Sequence, residues 1–144
     1  MPAASRLQND CPLSVLRTRF CRELGIDYPI WSAEFGGAGP ELVTAVSGVG
    51  GFGVLGVNGL PANAITALMA RTRALTDRPF ALNLDHRRGR PSGPGALLTA
   101  EVQAAADAKV AAVVLFSGNP APYIRVAHAG GVKVLLQVGS VAEA

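Results

Sequence analysis

Two side-chain amides stand where apolar residues are expected. Asn83 lies near the C-terminal end of the apolar run Pro79–Leu84, and Gln137 lies near the end of Val132–Val138. An amide inside a strand costs free energy unless its polar atoms are satisfied. Each amide offers both donors and an acceptor, which suits a planar heteroaromatic ligand that presents both kinds of group. Two amides at matching heights on two strands point to a polar ligand lying across the strand ends. The competing reading pairs each amide with neighbouring backbone, as buried polar groups usually are.

Other candidates are weaker. The loop Asp85–Gly95 carries Arg87, Arg88 and Arg90 beside His86 and follows an apolar run. Three arginines there suit an anionic substrate, yet the composition favours a solvated loop. His86 has only its neighbour Asp85 to orient it as a base, and His128, late in a helical stretch, reads as structural. Gly48-Val49-Gly50-Gly51-Phe52-Gly53 satisfies G-x-G-x-x-G. A dinucleotide fingerprint follows a strand and opens a helix, and here the order is reversed. These glycines read as a left-handed helix end and a tight entry into a strand. Cys11 and Cys21 read as reduced thiols, and two cysteines with two histidines assemble no metal site.

The elements that position these residues alternate regularly. A short amphipathic stretch, Leu16–Leu24, ends at Gly25. The expected strands are Pro29–Ala33, Phe52–Val57, Pro79–Leu84, Ala111–Phe116 and Val132–Val138. Between them, helices open at Pro40-Glu41, Pro61, Leu97 and Pro120–Pro122, since proline suits a first helical turn. In the Pro61 helix, Ile65, Leu68, Met69, Thr72 and Leu75 keep the spacing of one buried face. Thr76-Asp77-Arg78-Pro79 ends it, because a residue before proline avoids helical dihedrals. Short apolar strands joined by such helices are βαβ crossovers in a parallel sheet. Both the doubly wound open sheet and the eight-fold barrel use this repeat. Ser140 and Glu143 form a capping-box spacing, so the chain reads as stopping in the first turn of a further helix.

Composition excludes several classes. At 144 residues the chain is one domain at most, able to bury about two thirds of its unfolded surface. With 49% apolar residues and 16% charged, it is too apolar for disorder. The net charge of +3 is scattered apart from the loop arginines, so no nucleic-acid-binding stripe is present. Met1–Asp10 lacks the apolar core of a secretory signal, and no apolar run reaches the roughly 18 residues of a membrane span. The expectation is a cytoplasmic protein with neither a nucleic-acid nor a membrane partner.

Several blocks together carry a resemblance. Tyr28-Pro29-Ile30-Trp31-Ser32-Ala33-Glu34-Phe35, Pro40–Ser47 and Gly50-Gly51-Phe52-Gly53-Val54-Leu55-Gly56 resemble the nitronate monooxygenases, formerly called 2-nitropropane dioxygenases. Leu75-Thr76-Asp77-Arg78-Pro79-Phe80-Ala81-Leu82-Asn83 is similar to that family's LTD-x-PF-x-x-N block, and Val132–Val141 to its fifth-strand segment. The resemblance covers roughly residues 16 to 144, in order.

The resemblance implies an α/β fold of the parallel (β/α) TIM-barrel type, truncated after about five strands. Residues 16–144 would form the N-terminal part of an FMN-binding barrel, behind a disordered tail over residues 1–15. It implies that Ala33, Glu34, Phe35, Asn83 and Gln137 lie against FMN. The implied reaction oxidises alkyl nitronates with dioxygen, and a cousin class is the flavin-dependent enoyl-acyl-carrier-protein reductase. Two departures matter. The family often has Met where Phe35 stands, and its catalytic His and phosphate loops belong to segments after the fifth strand, so no residue here is assigned as catalytic. Ile30, Val54, Leu82 and Val114 or their strand neighbours are expected to fill the barrel interior. The unpaired edges of the first and fifth strands of such a portion would favour self-association.

Overall fold

The computed structural model describes residues 13–32, 39–57, 60–84, 95–116 and 119–144. Thr18 caps helix α1 (Arg19–Leu24), its hydroxyl accepting from the Cys21 N–H. A single 3-10 turn, Leu13–Leu16, precedes it. Then follow α2 (Pro40–Gly48), β1 (Gly53–Gly56), α3 (Ala62–Leu75), β2 (Phe80–Leu84), α4 (Gly95–Asp107), β3 (Ala112–Phe116), α5 (Ala121–Ala129) and β4 (Lys133–Gln137). The four strands are parallel and adjacent in sequential order, β1-β2-β3-β4. Sequential order with a helix between each pair is the barrel's arrangement and excludes the flavodoxin-like one.

Within the first expected strand, Pro29–Ala33, the described residues form one parallel bridge, Trp31 with Phe52. Phe52 N–H donates to the Ile30 carbonyl, and Ser32 N–H donates to the Phe52 carbonyl. The next ladder bond is taken by a side chain: Val54 N–H donates to Ser32 Oγ at 2.9 Å. The Ser32 hydroxyl thus satisfies the Val54 amide where a backbone carbonyl would ordinarily do so.

Tight packing between α2 and β1 explains the glycine cluster. Gly50 has φ of 90°, and a side chain there would meet Asp27. A Cβ on Gly53 would fall 2.4 Å from the Val43 carbonyl oxygen. Buried Ser47 fills the remaining polar gap, donating to the Pro79 carbonyl at 2.9 Å and accepting from Gly53 N–H at 3.1 Å. These glycines turn the chain from helix into strand, which is the structural role expected of them.

The sheet separates two apolar clusters. On the helix side, Leu55, Val57, Phe80, Leu82, Leu84, Val113 and Leu115 pack under Val43, Ile65, Met69, Val102 and Ala105. On the other side, Phe52, Val54, Ala81 and Ala112 meet Cys21, Leu24 and Ile26. Val54 and Val114 therefore face the barrel interior as expected, but Leu82 does not: strand alternation turns it to the helices, and Ala81 takes the interior position. Ile30, 64% exposed, sits on the open side of the bridge. In α3 the buried face is Ile65, Met69 and Thr72, while Leu75, at the helix end, is 51% exposed. Cys21 is a buried free thiol.

Candidate active site

Strand alternation decides where the amides point. Leu82 and Leu84 flank Asn83 and belong to the helix-side cluster, so Asn83 lies on the interior face. Gln137 follows Leu136, which packs on the helix side, and shares the interior face with Leu135. Asn83 is half-buried and hydrogen-bonded or otherwise partnered, while Gln137 is exposed. Both stand at the C-terminal ends of their strands, the edge at which barrels carry their chemistry.

Hydrogen-bond register pairs Asn83 with Gly56 and Val114, and Gln137 with Phe116. Register neighbours are not at equal height in a barrel, because the strands are tilted. With shear 8 and right-handed crossovers, equal height advances one residue per strand in the order β1 to β4. Two strands beyond Asn83, its level is reached at Gln137, since Val114 is paired with Leu135. In a closed barrel of that shear the two amides would share a layer, as layers draw on alternate strands. By the same step Gly56 and Phe116 share the next level, one residue nearer the mouth.

The far end of the interior is closed. There α1 and Ile26 cover Phe52, Ala81 and Ala112, all inaccessible. The interior face is consequently a plugged floor with a polar rim: apolar Val114 and Leu135 below, amides at the level above, and then Gly56 and Phe116.

Ala33, Glu34 and Phe35 lie outside the described residues, as do His86, the loop arginines and Cys11. His128 is exposed in the last turn of α5. Since α5 runs back from the strand ends, that turn lies at the edge opposite Asn83. Phe116 escaped the sequence reading. Its signal was available: it is the aromatic residue at the end of an apolar strand, at the same alternation as Val114.

A cavity of about 520 Å³ lies between α3 and α4. It is lined by Met69, Ala70, Arg73 and Ala104 among others, in the outer helix layer. Arg73 is committed to structure: its guanidinium donates to the carbonyls of Thr76, Arg78 and Lys109 and lies 4.6 Å above the Phe80 ring. This hollow is therefore a seam between helices, on the other side of the sheet from the amides. Among the described residues no group of three or more His, Cys, Asp or Glu side chains is placed to hold a metal ion.

A parallel β/α sheet in sequential order is the arrangement of the TIM-barrel class. Two solved structures share it. FabK from Thermotoga maritima superposes with a TM-score of 0.75 at 30% identity, over 86% of this chain and 38% of that one. Nitroalkane oxidase from Streptomyces ansochromogenes superposes with a TM-score of 0.70 at 19% identity, over 86% and 43%, a likeness of fold. The nitronate monooxygenase family pattern matches residues 17–144, and the chain belongs to that family. The nitronate monooxygenase of Pseudomonas aeruginosa is 45% identical over 73 residues, 49% of this chain and 21% of that protein. The chain therefore spans well under half the length of the relatives it matches. No helix among the described residues is long and apolar enough to cross a membrane.

Proposed function

We propose that this chain supplies the ring-facing part of an FMN-dependent nitronate monooxygenase, which oxidises alkyl nitronates with dioxygen. The observation that carries the reading is the place of Asn83 and Gln137 on one face of the sheet, near the C-terminal ends of their strands, within the stretch matched by the family. The donor set fits a flavin: two amides present donors and acceptors above an apolar floor of Val114 and Leu135. Asn83 and Gln137 would hold the polar edge of the ring system, and Ala33, Glu34 and Phe35, outside the described residues, are proposed as further contacts. When bound, FMN supplies the redox chemistry, while these side chains orient it and tune its electronics. The plug of α1, Leu24 and Ile26 closes the interior from the other end, so substrate and dioxygen enter at the amide edge.

No residue of the chain is assigned as the base that takes the α-proton. His128 is at the wrong edge. FMN affinity in a barrel also draws on phosphate-binding backbone in its late loops. A polypeptide limited to residues 1–144 is therefore proposed neither to retain FMN nor to turn over, and to self-associate along the β4 edge, in the cytoplasm.

The likeness to FabK favours a second reading, a flavin-dependent enoyl-acyl-carrier-protein reductase. One assay separates the two. The polypeptide that the gene encodes is purified, its flavin content is read by absorbance, and oxygen uptake with ethyl nitronate is compared with reduction of an enoyl thioester. Nitronate-dependent oxygen uptake supports the first reading; thioester reduction without it supports the second.

A further inference from the structure

The cavity of about 520 Å³ between α3 and α4 falls within the roughly 300–1,000 Å³ of small-molecule sites. On α3 it is lined at the three-four spacing of one helix face, with Met69, 1% exposed, as its floor. Ala104 and Ala108 stand one turn apart on the α4 side. Its body is therefore apolar. Its rim is charged. Arg73, Asp107 and Lys109 lie there, beside the C-terminal ends of both helices. Carbonyls at helix ends disfavour an anion, but Arg73 covers them. Its guanidinium donates to the carbonyls of Thr76 and Arg78, and to that of Lys109 at 3.1 Å. Asp107 is already engaged, its carboxylate accepting from the Gln103 amide at 2.9 Å. The Lys109 ammonium is exposed and has no hydrogen-bond or ion-pair partner among the described residues. Two cations against one carboxylate leave the rim net positive, and Lys109 is the cation free to pair.

The backbone makes Lys109 an unusual choice at this place. Helix α4 ends in a Schellman turn: Lys109 N–H donates to the Ala106 carbonyl, and Val110 N–H to the Ala105 carbonyl. Lys109 takes the left-handed position of that turn, with φ of 52°, where glycine is the ordinary residue. A lysine there gives up backbone ease and sets an ammonium at the cavity rim.

We propose that this cavity binds a free aliphatic monocarboxylate, its alkyl chain between α3 and α4 and its carboxylate on Lys109. The site goes beyond the flavin reading and is separate from it, since it lies on the helix side of the sheet. Each methylene enclosed adds about fourfold in affinity. The carboxylate on a partly exposed ammonium adds about threefold.

Octanoate is the probe, titrated calorimetrically into the polypeptide that the gene encodes, with hexanoate, octanol and octylamine alongside. Octanoate should bind about threefold more tightly than octanol and about tenfold more tightly than hexanoate, with octylamine weaker than octanol. Lys109→Gly should hold or raise Tm, because glycine suits the left-handed position, and should bring octanoate down to the affinity of octanol. Ala70→Leu, at an exposed position, should occupy the cavity and weaken octanoate and octanol alike by about fivefold or more. Asn83→Ala, on the other face of the sheet, should leave octanoate binding unchanged. The proposal is overturned by absence of saturable octanoate binding, by octanol or octylamine binding as tightly as octanoate, or by octanoate affinity unmoved in either Lys109→Gly or Ala70→Leu. Loss of octanoate binding in Asn83→Ala would also overturn it, by putting the ligand at the mouth.

Discussion

The two faces of one sheet are built to different rules. Along β2, Phe80, Leu82 and Leu84 face the helices, each at most 1% exposed, while Ala81 and Asn83 face the interior. The helix-facing residues are large and matched by residues of α2 to α5 in the same chain. The interior residues are small below and polar above, and Asn83 is only half-buried. Where side chains complete each other within the chain, substitution is paid in stability. Where they are small, polar and partly exposed, the structure tolerates change and the ligand registers it.

Leu82 and Asn83 are adjacent and on opposite faces, so they break this comparison most directly. Leu82→Ala should cost about 2–5 kcal/mol of unfolding free energy, because the methyl groups it removes are wholly enclosed and the helices cannot collapse onto the gap. Urea unfolding followed by circular dichroism measures it. A loss under about 1 kcal/mol, the range of ordinary surface changes, would show that the helix face is not the core.

Ser47→Ala should come next, at about 1–3 kcal/mol, since Pro79 O and Gly53 N–H both lose the buried hydroxyl. The same unfolding experiment reads it, and flavin content should not change once the variant is folded. A change in flavin binding at full stability would mean that the α2–β1 packing reaches the mouth, joining regions that the comparison separates.

Asn83→Ala should act on the other quantity. Loss of about one net hydrogen bond to the flavin weakens retention about five- to tenfold. The drop in unfolding free energy should be smaller than that of Leu82→Ala. Flavin fluorescence during dilution gives the dissociation constant. Unchanged flavin affinity with a large stability loss would return Asn83 to the purely structural role that its existing partner allows.

Much of this organisation was legible in the sequence, and the reasons differ by element. Helices α2 and α3 announce themselves through Pro40 and Pro61 and through three-four spacing, both local signals. The sheet order follows from βαβ repetition. Of the first strand, Pro29–Ala33, composition showed the extended segment, while the way its described residues meet β1, with Ser32 taking the Val54 amide, is a contact 22 residues away. Leu82 was put on the wrong face because a strand such as Phe80–Leu84 is apolar throughout, and only the partners on each side fix which alternation points inward. Asn83 and Gln137 were visible because an amide in such a run stands out. Their common layer needs strand tilt and register together, which no local pattern contains. Glu143 shows the same limit: the capping-box spacing is present, yet its carboxylate accepts from Gly139 N–H and the turn is 3-10.

The smallest effect tests the comparison by its absence. His128 is the histidine that a search for a base would try first among the described residues. It sits exposed in the last turn of α5, beyond the edge where β4 begins, with the sheet and α5 between it and the amide layer. Its favourable place is the negative end of a helix dipole, worth about 0.3–1 kcal/mol at most when protonated and exposed. His128→Ala should therefore leave flavin content, turnover and its pH profile unchanged, with unfolding free energy within about 0.5 kcal/mol of the parent. A collapse of turnover with the fold intact would place chemistry at the plugged edge of the barrel. The assignment of the mouth to Asn83 and Gln137 would then have to be given up.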